Sequence, residues 1–298
     1  MEIAAGPPQL QLLVNIAVLG SIYALIACGY VLIYRVSRVL NLAHGELMML
    51  GAYLLLATAS LFSASATLAI AAAILLSVTA GVLVYVLLMR RMTGEMVLAA
   101  ILTTVALGIL VRGALALIWS SQQQYPAQAL RLANPTFAFG NAHISTWSLA
   151  LVLVNAAVYL ALFVFLRFGR WGMRMRAAGQ NPLLAAQRGI NLHGVYAVAW
   201  AISTLTGSIA GMLIALDSGL TMSMPVIALK AFPAALVGGL DSLAGALLGA
   251  LIVASAEVLL IYYVDPLLSD VVPFLVLIAM LIVRPWGLFG TREELDRV

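Results

Sequence analysis

Long apolar runs broken by short basic or polar segments make up most of this chain. Each run can be held against the ~20 residues a helix needs to cross the hydrocarbon core of a bilayer. Leu10–Tyr34 is the first predicted span, followed by Arg35 and Arg38, and the second runs from about Leu40 to Phe62 with polar groups near its start. Ala66–Met89 is the third, closed by Arg90 and Arg91, and Val97–Ser120 is the fourth, with Arg112 inside it. Residues 121–146 change character: glutamines, two prolines and a lone arginine, Arg131, predict an external loop. Trp147–Leu166 and Val195–Leu216 are the fifth and sixth spans, separated by residues 167–192.

Charge sets the orientation. With the segments holding Arg35/Arg38, Arg90/Arg91 and Arg167–Arg188 in the cytosol, the N-terminus lies outside and span six ends outside. The tail carries Arg284, Arg292 and Arg297 and belongs inside, so an odd number of crossings remains. Leu243–Val264 and Val271–Val283 supply two, and the Gly-rich stretch Pro225–Leu240 supplies a third, short one, with Asp241 at the inner face. The expectation is therefore an all-α polytopic membrane bundle of nine spans in one domain, 1–298, although a re-entrant hairpin in the Gly-rich stretch would mimic one crossing. Twelve of the fifteen basic residues then face the cytosol, leaving Arg112, Arg131 and Lys230. The N-terminal MEIAAGPPQLQ lacks the basic start of a cleavable signal, so the first run reads as a retained span.

Composition agrees: 64% of the 298 residues are hydrophobic and 9% charged, against about 25% charged in soluble domains. A basic balance of only +4, placed at span edges, argues orientation rather than nucleic-acid binding. The single cysteine, Cys28, excludes an internal disulfide and a cysteine-rich metal site.

The loop 167–192 organises the rest. It holds Arg167, Arg170, Arg174, Arg176 and Arg188, and Asn181-Pro182 supplies a cap followed by proline at the first helical position. Gly189 falls where a helix of about two turns needs a left-handed terminator. A capped helix outside the bilayer suggests a docking site for a cytosolic partner; the competing reading is a solvated basic loop.

Polar groups at membrane depth are expensive and usually functional. Asn41, His44 and Glu46, with Gly45 relaxing the backbone between them, read either as a lining or hinge of a solute path or as an interfacial helix start with His44 and Glu46 facing headgroups. Arg112 and Glu257 are the other charges within spans, expected to pair as a structural ion pair. Gly207-x-x-x-Gly211 and Gly245-x-x-x-Gly249 would permit close helix contact, and ALVGGLDSLAGALLGA at Ala235–Ala250 suggests two helices meeting at a tight turn. The histidines His44, His143 and His193 lie on separate segments without metal spacing, and no nucleophile elbow or phosphate loop is present. No catalytic or metal site is expected.

Three stretches carry a family resemblance: NLAHGELMMLGAY at Asn41–Tyr53, RAAGQNPLLAAQRGIN at Arg176–Asn191, and KAFPAALVGGLDSLAGALLGALIVASAE at Lys230–Glu257. They resemble the signature regions of branched-chain amino acid ABC permeases, specifically the first of the two paired membrane subunits, over essentially the whole chain. The resemblance implies half of a bacterial inner-membrane pore, partnered by a homologous second permease subunit, two cytosolic ATPase subunits and an extracytoplasmic solute-binding protein. It implies no cofactor bound by this chain, ATP being used by the partner subunits. Carried over residue by residue, it places Ala178, Gly179, Asn181, Pro182, Ala186, Arg188, Gly189 and Ile190 in the segment that couples to the ATPase, and residues 121–146 as one surface for the binding protein. Branched-chain amino acids are the default solute, with urea, amides or another small polar solute next. The rival class is a stand-alone ion-coupled carrier, for which Glu257 is the acidic candidate.

Overall fold

The computed structural model describes residues 9–140 and 142–290. Arg292 and Arg297, on which part of the expected charge asymmetry rests, lie outside the described residues, as do residues 1–8. The described chain is a helix bundle with one small hairpin. Its helices are α1 (Gln9–Ser37), α2 (His44–Leu61), α3 (Ala66–Val84, extended through a π turn to Met92), α4 (Val97–Trp119), α5 (Thr146–Phe168), α6 (Arg170–Gln180), α7 (Pro182–Gln187), α8 (Leu192–Ser218), α9 (Met224–Gly238), α10 (Leu243–Tyr263) and α11 (Val272–Val283). Seven of them (α1 to α5, α8 and α10) are long and apolar enough to cross a membrane, which makes this a multi-pass membrane protein. The other two apolar helices, α9 and α11, have 15 and 12 residues, so the expected count of nine rests on them.

Sequence chemistry sets the helix starts. Ser65, Ser145, Asn191 and Ser242 each accept the backbone N–H three residues on, closing the first turns of α3, α5, α8 and α10. Packing then sorts the helices. α1 and α8 are apolar on every side and mostly buried, and they form the centre with α2, α9 and α10 around them. α3, α4 and α5 expose most of their apolar surface and form the periphery.

Both glycine pairs lie in close contacts, as their spacing suggested. Gly207 abuts the His44 ring and Gly211 the Met48 backbone, so α8 presses on α2; Gly245 and Gly249 meet Gly238 and Ala234 across the α9–α10 turn. Without a hydrophobic drive between helices in lipid, such backbone proximity is what holds them together. The turn itself needs Gly239, whose φ is +99°.

Two chain segments run inside the bundle rather than around it. Residues 38–43 leave α1 and rise beside α4 before α2 begins, with the Leu42 N–H donating to Thr104 Oγ1 at 3.1 Å. Thr104 lies seven residues into α4, about 10 Å from that helix's start. The predicted start of the second span at Leu40 is therefore too early: α2 begins at His44, because Asn41 folds back on the Ala43 N–H (3.1 Å) and its own carbonyl takes the His44 N–H (3.3 Å). On the other side, Leu220 is bridged to Gln124 beyond the end of α4, whereas Asp241 pairs with Arg38 at the opposite end of the bundle. The intervening chain, including α9, thus traverses the bundle. α9 begins where its Pro225 abuts Gly45 in the first turn of α2.

The segment 121–146 contains a helical turn at Pro126–Ala129 and an antiparallel hairpin, β1 (Thr136–Phe139) with β2 (Ala142–Ser145), which composition alone did not foretell. Asp217 at the end of α8 ties this segment down, accepting from Asn134, Ser145 and Ser148, and Gln11 of α1 accepts the His143 N–H at 2.7 Å.

Gly249 tests the packing account. Gly249→Leu would drive a side chain into the Ala234 carbonyl and Gly238, costing about 3 kcal/mol, whereas Gly113→Ala, which meets nothing, is neutral. Thermal unfolding of the isolated chain in detergent should separate the two variants.

Candidate functional site

The first turn of α2 brings Asn41, His44, Gly45 and Glu46 together but points them differently. Asn41 and His44 are fully enclosed, so the interfacial reading, with His44 toward headgroups, does not hold. The His44 ring lies against Gly29 of α1 and Gly207 of α8, tilts on Tyr30 with centroids 4.7 Å apart, and borders the Ile26 backbone. Glycine is required at position 29, where any Cβ would overlap the imidazole, and a Cβ at position 207 would press on it at about 3.0 Å. Asn41 Nδ2 has no partner among the described residues.

Glu46 turns the other way, toward α4. Its Oε1 takes the Arg112 guanidinium at 2.7 Å, with Glu46 14% and Arg112 50% exposed. Its Oε2 rests on Gly108, where an added Cβ would sit 3.1 Å away. Gly108 is the central residue of α4, so the carboxylate lies about 16 Å from either end of that helix. An acidic residue in the first turn of α2 also suits the positive end of the helix dipole.

The expected pair of Arg112 with Glu257 is therefore corrected. α4 packs on α2, which brings Arg112 to Glu46, while Glu257 of α10 finds Lys230 of α9 at 2.6 Å. Glu257 also accepts from Tyr23 (2.6 Å) and Ser269 (2.8 Å), and Lys230 reaches Asp270 at 3.5 Å. This network links α1, α9, α10 and the turn before α11. Lys230, the chain's only lysine, was legible as a charge within a span, but its partner depends on how α9 and α10 turn about Gly239.

At the end of the bundle where α6 and α7 lie, the capped helix takes the predicted form. Asn181 Oδ1 accepts the Leu184 N–H at 2.9 Å, Pro182 opens the helix, and Gly189 has φ +81°. Ala186 and Arg188 are exposed, whereas Ala178 is buried and Ile190 half-buried. The structure adds α6, whose Gly172, Met175 and Ala178 form a buried stripe that the arginines obscured in the sequence. Gly179 at its end packs against the Arg35 carbonyl of α1, and Arg176 donates to the Leu166 carbonyl. Nearby, Arg38 pairs with Asp241 at 2.7 Å. α6 thus joins the capped helix to the end of α1, and Arg38 just beyond α1 reaches the α9–α10 turn.

Removing one partner of the Lys230–Glu257 pair leaves a buried charge unpaired. Lys230→Met should destabilise by about 3 kcal/mol, and Lys230→Met/Glu257→Gln should recover most of that; denaturation of the three proteins in one detergent measures it.

The chain is 31% identical to the Escherichia coli (strain K12) high-affinity branched-chain amino acid transport system permease protein LivH, over 97% of each chain. It is equally similar to BraD of Pseudomonas aeruginosa, named likewise (31%, 97% of this chain and 98% of BraD), and 24% identical to a probable branched-chain amino acid transport permease protein of Methanocaldococcus jannaschii, over 91% and 89%. Residues 12–281 match the model of the branched-chain amino acid transport system / permease component, and the chain belongs to that permease family.

Proposed function

We propose that this chain is a membrane permease subunit of an ATP-driven ABC importer of branched-chain amino acids, forming half of the translocation pathway. The observation that carries the reading is the full-length similarity to permeases named for that transport. Partners on this reading are a homologous second permease subunit, two cytosolic ATPase subunits that use the ATP, and an extracytoplasmic binding protein. The chain lies in the bacterial inner membrane with nine crossings, its N-terminus outside and its C-terminus in the cytosol. The distribution of arginines speaks for that orientation. The path from Leu220 at one end of the bundle to Asp241 at the other supports reading α9 as the seventh crossing.

Within this reading α7, with the residues from Ala178 to Ile190, docks on an ATPase subunit. Its cap and terminator fix its ends and Ala185 packs it on the bundle, leaving Leu183 and Leu184 exposed for docking. A push on α7 passes through α6 to the Arg35 end of α1 and to the turn at Asp241, which are the contacts Gly179 and Arg38 make. The tethered hairpin segment 121–146 offers its exposed face to the binding protein.

The variant Asn181→Pro/Gly189→Val removes the cap and forces valine into a left-handed conformation. In affinity purification of the tagged chain in mild detergent, the ATPase subunits recovered should fall about tenfold, as expected for lost caps, while the second permease co-purifies undiminished. Recovery of both at the wild-type ratio would count against α7 as the docking helix.

A further inference from the structure

The Glu46–Arg112 pair stands apart from the other charges of the bundle. Lys230 and Glu257 are enclosed and share Tyr23 and Ser269, so their charges are satisfied within the chain. Arg38 and Asp241 lie at the bundle's end. Glu46 and Arg112 have only each other among the interactions described, sit near mid-depth of the bundle, and open onto its outer surface, with half of Arg112 exposed. Around them α4 shows only large apolar side chains, Val105, Ile109 and Leu110. An open ion pair against lipid at that depth is costly, so this face meets water or a partner rather than acyl chains.

We infer that Glu46 and Arg112 form a transient site for the zwitterionic backbone of an α-amino acid on its way through the pore. This rests on the importer reading of the preceding section. The solute's ammonium, with three donors, takes the place of Arg112 on the Glu46 carboxylate. Its carboxylate takes the place of Glu46 on the Arg112 guanidinium, whose planar fork suits two carboxylate oxygens. No proton moves and no bond is made: one ion pair is exchanged for two. The geometry leaves room for the exchange. Glycine at 108 lets the Glu46 carboxylate lie against α4, Gly113 beside Arg112 meets nothing, and the guanidinium is not packed into the core.

Two consequences follow from the exchange. The internal pair competes with the solute, so the site stays weak, as passage requires. A solute carrying a single charge would free one member of the pair without replacing its partner, leaving an unpaired charge near mid-depth; the site therefore discriminates by repulsion as well as attraction. Side-chain identity is not read here, since only the groups common to all α-amino acids are engaged.

The test uses the whole importer in proteoliposomes, with ATP on the ATPase side and L-leucine supplied on its binding protein. Glu46→Gln/Arg112→Gln keeps two hydrogen-bonding amides and removes both charges, and leucine uptake by the assembled complex should fall about tenfold or more. Arg112→Lys, which keeps both charges but loses the planar fork, should retain more uptake than the double variant and less than the wild type. If the double variant does not assemble, Arg112→Cys serves instead: uptake should be restored by a cationic thiosulfonate and not by an anionic one, the single native thiol, Cys28, being buried. Wild-type uptake in the double variant, or rescue of Arg112→Cys by either reagent alike, overturns the zwitterion site and leaves the importer standing. Absence of ATP-driven leucine uptake in the wild type overturns the importer reading and this site with it.

Discussion

Polar groups placed at mid-depth of a membrane bundle have to be satisfied by the chain itself or by water, and this constraint shapes the architecture from the centre outward. Where residues 38–43 rise into the bundle, the Leu42 and Ala43 N–H groups are taken by the Thr104 hydroxyl and the Asn41 side chain. The His44 ring that follows is accommodated because Gly29 presents no side chain, with Gly207 of α8 also close to it. Lys230 and Glu257 are drawn together by the same demand, and their network pins the middle of α9 to α1, α10 and the turn before α11. Apolar packing around α1 supplies the bulk of the burial, but these few contacts decide where α2 begins and where the middle of α9 is held.

The two ends of the bundle are built differently. At one, Asp217 gathers the side chains of Asn134, Ser145 and Ser148, fixing the hairpin segment to the end of α8. At the other, contacts are backbone-close and charged: Gly179 on the Arg35 carbonyl, Arg38 on Asp241. A helix pressed on a carbonyl without an intervening side chain transmits displacement with little slack, which suits the end proposed to dock the ATPase. α1 runs from that end past His44, and α2 carries Glu46 two residues further on, so the capped helix and the open ion pair share one continuous set of packed helices.

Much of this was legible before the coordinates. Apolar run length marked the seven long helices, and Asn181-Pro182 with Gly189 marked α7 to the residue, because caps and left-handed glycines are local chemistry. What the sequence hid depends on long-range packing. Arg112 was paired with Glu257 on charge alone, yet α4 lies on α2, and nothing local in either helix says so. α6 was missed because its arginines outweighed a buried stripe of Gly172, Met175 and Ala178. His44, Asn41 and Glu46 were read as one cluster; consecutive positions in a first helical turn point to different sides, and only the fold shows that Glu46 alone reaches the open face.

The central claim is that the face bearing Glu46 and Arg112 lines a watery path through the assembled importer. Leu42, whose N–H is held by Thr104, and Val226, next to the Pro225 that abuts Gly45, are 41% and 46% exposed, and Cys28, the single thiol of this chain, is buried. The direct measurement is the labelling rate of Leu42→Cys and Val226→Cys in native membranes by a charged, water-soluble thiol reagent, set beside a lipid-soluble one. The account predicts that the charged reagent labels both positions, and that transport-competent conditions change the rate. Labelling by the lipid-soluble reagent alone would place this face against acyl chains and contradict it.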